Sequence, residues 1–176
     1  MLAALVGATL ALAACSGPSA AESVKGELPD LTSKGFTSFE CGTGKAIGGS
    51  FQAPTDPQFE AQCWTGSPQD EFRDIANSVQ DDVTLATSGQ DVTGDVCPAD
   101  SLTTQGGIAC RAVLVTKGNT SVLVRTVVIL ADPATALAKL PANPTQDQIH
   151  SLLKGADLEV LVGTEPANQS PASPTP

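Results

Sequence analysis

The chain has 176 residues, with 9 Lys and Arg against 19 Asp and Glu, 5 Cys, 5 Phe, one Trp and no Tyr, for a formal charge of −10. At about 150 residues per domain it has room for one domain, and 41% hydrophobic with only 16% charged residues exclude disorder over the whole length. An acidic surface repels phosphate backbones, so nucleic acid is excluded as a partner.

The first charged residue is Glu22, and before it Leu2 to Ala14 forms an uncharged apolar run ending at Cys15. Such a run falls short of the roughly 20 residues that span a bilayer but suits the apolar region of an export signal over residues 1–14. Leu12-Ala13-Ala14-Cys15, followed by Ser16-Gly17, resembles the bacterial lipobox. The resemblance implies cleavage ahead of Cys15, lipid attachment to its thiol with a fatty acyl group such as palmitate, and an anchor on the extracytoplasmic face of the cell membrane. Each buried methylene contributes about 0.8 kcal/mol, and two or more chains on one cysteine make the anchor stable. No Lys or Arg precedes the run, whereas export signals normally start with positive charge. Translation is therefore expected to begin upstream of Met1.

From the lipidated Cys15, residues 15–34 are rich in Ser, Ala, Gly and Pro and lack periodicity. They are expected to be a flexible tether with a mean reach of about 25 Å. The folded unit is expected over residues 35–164. Phe36–Cys41 and Phe59–Trp64 predict strands, with a possible middle strand at Ala46–Gln52 after a Gly-rich turn. Ser67-Pro68 announces a helix over about 68–80, with Ser67 as N-cap, Pro68 in the first turn and Phe72, Ile75, Ala76 and Val79 on its buried face. Every aromatic residue falls between Phe36 and Trp64 or at Phe72, which predicts one shared aromatic cluster, read as core in preference to a carbohydrate-stacking surface.

A strand is expected at Val83–Thr87, then a polar stretch from Ser88 to Gly107. Ile108 to Lys117 and Thr120 to Ala131 are rich in Val, Ile and Leu and flank Gly118-Asn119, a two-residue hairpin turn. Pairing across that turn sets Val115 opposite Val122, Val113 opposite Val124, Arg111 opposite Thr126 and Ala112 opposite Arg125. Both faces are largely apolar, so the hairpin (108–131) is expected to be central, its two arginines at the rim or paired to acids. Asp132-Pro133 starts a short helix. A second follows with Thr145 and Gln148 as a capping box and Gly155 as its stop. Leu158, Val160 and Val162 alternate in a last strand. Residues 165–176, with four prolines, are expected to be a disordered tail. Strands and helices mix without regular alternation, which predicts an α+β fold with an antiparallel sheet.

An exported chain meets an oxidising compartment, so Cys41, Cys63, Cys97 and Cys110 are expected in disulfides. Four cysteines allow three pairings. Cys41–Cys63 and Cys97–Cys110 are favoured because each pair is nearest in sequence and links neighbouring extended segments. Zinc is disfavoured because there is no C-x-x-C pair and the single His150 lies far away.

No catalytic, cofactor-binding or metal-binding residue is assigned. His150 is the one conventional general base, on the predicted helix from Thr145 to Lys154, where a half-exposed histidine is unremarked. Cys41-Gly42-Thr43-Gly44-Lys45 departs from a phosphate loop at two points, Phe39 in place of its first glycine and Ala46 in place of its Ser or Thr. Asp91, Thr93 and Asp95 lack the spacing of a calcium loop.

The Ser67 helix, the segment Val92 to Asp100 containing Cys97-Pro98, the Gly106-Gly107 turn, Cys110 and the Val-rich hairpin to Val128 together resemble a small domain of unknown function found in actinobacterial envelope proteins and lipoproteins. That resemblance implies a Cys97–Cys110 disulfide and a helix packed on antiparallel strands, and no activity. The sequence departs from that pattern in its second cysteine pair before the helix and its extra elements after the hairpin. The expected function is a non-enzymatic, lipid-anchored envelope module that binds or scaffolds another envelope protein or ligand. The alternatives are an envelope hydrolase using paired carboxylates and a carrier of a small apolar ligand.

Overall fold

The computed structural model describes residues 19–48, 51–103 and 106–167; the expected export signal over residues 1–14 and the expected lipidation site Cys15 lie outside them. The hairpin organises the rest. Strands β5 (Gly106–Lys117) and β6 (Thr120–Leu130) pair in the register expected, with Val113 opposite Val124 and Arg111 opposite Thr126. Gly118 takes φ +61° while Asn119 stays at negative φ, the glycine-first pattern of a type II′ turn.

Around this pair, β1 (Phe36–Phe39), β2 (Ala61–Gly66), β3 (Gln90–Asp91), β4 (Ser101–Thr103) and β7 (Leu158–Pro166) complete one antiparallel sheet ordered β1-β2-β7-β6-β5-β3, with β4 also on β5. The fold is α+β as expected. Strand β7, last in the chain, lies between β2 and β6 and contributes the fully buried Leu158, Val160 and Val162.

Pleating gives the sheet two faces. One carries Val113, Val115, Val122, Val124, Val128, Val160, Val162 and Trp64 against helix α2 (Phe72–Thr87). Helix α2 starts later and runs longer than expected. Ser67 Oγ donates to Asp157, and the Pro68 carbonyl accepts from Gly155 N–H at 2.8 Å, so these residues tie down the β7 approach and Glu71 is the N-cap. Val83, expected in a strand, extends the apolar row Phe72-Ile75-Ala76-Val79 by one more turn, and the helix ends where Ser88 turns left-handed at φ 54°.

The segment expected to be a flexible tether is structured from Ser19. Ser19 and Glu22 form a reciprocal capping box on helix α1 (Ala20–Lys25), and Ala20, Ala21, Val24 and Leu31 are buried in the main core. A 3₁₀ turn at Leu31–Lys34 follows, and Lys34 reaches Ser78 Oγ at 2.6 Å and Asp82 at 2.9 Å on α2. Small apolar side chains cover the sheet end here, a signal weaker than a Leu or Val stripe. At the other terminus, Glu165 and Pro166 belong to β7 and pair with Leu123 and Val122, so the folded unit runs past the boundary expected at residue 164.

Between β3 and β5 lie α3 (Thr93–Val96) and β4; after the hairpin come α4 (Pro133–Leu137), capped by Asp132, and α5 (Gln146–Leu153), with the expected Thr145–Gln148 box. The disulfides are Cys41–Cys63 and Cys97–Cys110. The aromatic residues divide into two groups. Phe36, Trp64 and Phe72 join the helix-side core, whereas Phe39 and Phe51 pack with Cys41, Ile47 and Cys63 on the opposite sheet face. Phe36 and Phe39 are three apart in one strand, and an odd separation puts them on opposite faces.

Candidate functional site

The second sheet face is partly covered by the chain between β1 and β2, and its attachment is specific. Glu159 lies on this face, only 4% exposed. Its carboxylate accepts backbone N–H bonds from Lys45 at 2.7 Å, Ala46 at 3.0 Å and Ile47 at 2.8 Å. Three aligned donors around one anion form a nest of the kind that binds phosphate. The segment that resembled a phosphate loop is thus an anion cradle whose anion is the protein's own. Gly44 allows the approach, since a Cβ there would meet Glu159 Oε2 at 2.6 Å. Ala46–Gly48, expected in a middle strand, are held in this turn instead.

Beyond the cradle, residues 51–60 stand off the sheet and leave a groove of about 750 Å³, within the 300–1,000 Å³ range of small-ligand sites. Its sheet side is Ile108, Val127, Ile129 and Leu161, and its outer wall includes Phe51, Pro54 and Phe59. Gly163, opposite both Ala61 and Arg125 in the sheet, keeps the floor low. Arg125 Nη2 meets Glu165 Oε1 at 2.6 Å, and Glu60 pairs with Lys25 at 3.2 Å. Burial raises the Glu165 carboxyl above its ordinary value, against the opposing pull of Arg125. A second hollow of about 900 Å³ opens toward β1 and is lined by Leu28, Phe39 and Trp64; Phe51, Ala53 and Pro54 line both spaces.

The other groups singled out in the sequence have local partners. Arg111 forms a bidentate pair with Asp100 at 2.7 and 2.8 Å, and its Nε donates to Asn77 at 2.7 Å. These bonds hold the Asp100 carboxyl below its ordinary value. Asp91 accepts from Thr93 N–H at 2.8 Å at the start of α3, as a turn carboxylate does. His150 is half-exposed, and its Nδ1 lies 4.0 Å from the buried Glu71. With Asp74 these are, among the described residues, the one grouping whose ligand atoms all lie within 4.8 Å and could hold a cation. Glu71 already takes the Arg73 guanidinium at 2.6 Å, a fixed positive charge that opposes a metal ion.

Sequence reasoning favoured both cysteine pairs and left the two arginines at the rim or paired to acids; the structure pairs Arg111 with Asp100 and Arg125 with Glu165. That reasoning placed neither Glu159 nor the groove. Glu159 gave one signal, an acid inside an otherwise apolar strand. Comparison with protein-family models, with curated protein sequences and with solved structures found no match. What defines the molecule is therefore its own geometry, an α+β domain with one helix-packed sheet face and one face carrying a semi-apolar groove.

Proposed function

We propose that the chain is a lipid-anchored protein of the extracytoplasmic face of the cell membrane, and that its domain is a binding module for a small envelope component with an apolar part. The groove between the sheet and residues 51–60 carries the reading, because apolar walls with a few fixed polar groups are the composition of a ligand site. The apolar run ending at Cys15 supports the anchor. Two disulfides support an oxidising compartment. Ser19 caps α1 four residues after Cys15, a contour of about 14 Å, so the anchor would hold the domain close to the lipid surface.

The test is binding of N-phenyl-1-naphthylamine, a neutral apolar fluorophore, to the purified full chain carrying Cys15→Ala. Saturable binding should weaken about tenfold or more in Val127→Asp, which sets a charge on the groove's apolar floor, while the circular dichroism of the fold is kept. Equal binding to both proteins would refute the groove as the site.

A further inference from the structure

The two edges of the sheet are finished differently. At one, β3 and β4 both cover the outer side of β5. At the other, β1 pairs with β2 and has no strand beyond it. Natural sheet edges are commonly guarded by charged side chains or proline, and Phe36-Thr37-Ser38-Phe39 has neither. Among the described residues, the exposed Thr37 and Ser38 have no backbone hydrogen bond outside the ladder with β2.

The hollow of about 900 Å³ lies along this edge and has walls on both faces of the sheet. Ser38 opposes Trp64 and Phe39 opposes Cys63 in the ladder, so these two pairs point to opposite faces. Leu28 packs with Trp64 in the helix-side core, and Phe51 packs with Phe39 and Cys63 on the far side. A strand laid against β1 alternates in the same way, so its successive side chains enter the two halves in turn. The charged residues lining the hollow are Asp30 and Glu40, both exposed. Glu40 lies two residues beyond Ser38 in extended backbone and so falls on the helix side. Asp30 Oδ1 accepts from Thr32 N–H and Oγ1, which leaves its Oδ2 open. Among the described residues neither acid has a basic partner, since Lys25 and Lys34 are committed to Glu60 and Asp82 and Lys45 does not line the hollow. Glu159, of the same sign, is held in its cradle, and Trp64 Nε1 is shielded from solvent and takes no part. The far half, with Phe39, Phe51 and Pro54, carries no charge.

We propose that β1 and this hollow take an extended segment of a partner protein as one further strand, with a basic, an apolar and a basic residue in succession. The two basic side chains face Asp30 and Glu40, and the apolar one lies against Phe39, Phe51 and Pro54. This strand addition does not require a ligand in the groove.

The experiment titrates the full chain carrying Cys15→Ala with acetyl-Thr-Lys-Leu-Lys-Thr-amide and follows the backbone amide resonances. Those of residues 36–40 should move, with a Kd of about 1 mM for so small a contact. The acidic analogue acetyl-Thr-Glu-Leu-Glu-Thr-amide should bind about tenfold more weakly, because two attractions become repulsions. The basic peptide N-methylated at Lys, Leu and Lys cannot donate to the edge and should also bind about tenfold more weakly. Asn keeps the acceptor for Thr32, and Asp30→Asn/Glu40→Gln should weaken the basic peptide about fivefold, the size of two exposed ion pairs. Equal binding of the basic and acidic peptides, or of the basic peptide and its N-methylated form, would overturn the proposal. So would resonances of residues 36–40 that stay unmoved at millimolar peptide. All three outcomes are read without the double variant, so they hold whether or not it folds.

Discussion

Replacing Glu159 by Gln tests whether the cradle holds the 44–47 turn on the sheet. Its Oε1 accepts from Lys45 N–H, and its Oε2 from both Ala46 and Ile47. A glutamine keeps its oxygen best at the Oε2 position, where it serves two donors, and then its amide nitrogen meets the Lys45 N–H donor to donor. One charge-assisted bond is lost outright and two become neutral ones, roughly half as strong. With a buried donor left unmet, the cost is about 2 kcal/mol. For a domain of this length that is a fall in melting temperature of about 4–8 °C. Thermal unfolding followed by circular dichroism measures it, and the amide resonances of residues 45–47 report the turn directly. A melting temperature within about 1 °C of the parent, with those resonances unmoved, would refute the cradle. Gly44→Ala attacks the same contact from the other side, since the new Cβ would meet Glu159 Oε2 at 2.6 Å and Phe39 Cε2 at 2.9 Å.

The disulfides close sequence separations of 22 and 13 residues and should each contribute about 3 kcal/mol in the chain-entropy model; urea unfolding of Cys97→Ser/Cys110→Ser against the parent measures the second, and an unchanged midpoint would contradict it. Asp100 is held below its ordinary value of 3.8, chiefly by its hydrogen bonds to Arg111. Its stabilisation is therefore present above that value and lost as pH falls through the lowered folded one. Asp100→Asn should melt below the parent at pH 7, the difference closing under acid; a constant difference across an acid series would contradict the pairing.

What the sequence showed and what it hid divide by range. The hairpin register follows from a two-residue turn, the Cys97–Cys110 pair closes a short loop, and the α5 capping box spans four residues. All are local. Helix α2 outran its expected end because Val83–Thr87 satisfies both a β-rich composition and the continuation of a helical stripe, and packing against β5 and β6 decides between them. Glu159 alternates correctly for an outward-facing acid, and its burial depends on N–H groups more than a hundred residues earlier. The groove depends on the same long-range attachment, since residues 51–60 have no periodicity of their own. Helix α1 was available in the Ser19-x-x-Glu22 box, but a Ser- and Ala-rich composition masked it.

The proposed placement of the domain at a membrane rests on one side chain. Cells producing the chain with Cys15 intact should carry it in the membrane fraction, label it with an alkyne analogue of palmitate, and leave it open to added protease on the outer surface. Cys15→Ala should lose the label and release the protein from the membrane. Unchanged membrane association and labelling in Cys15→Ala would contradict the account.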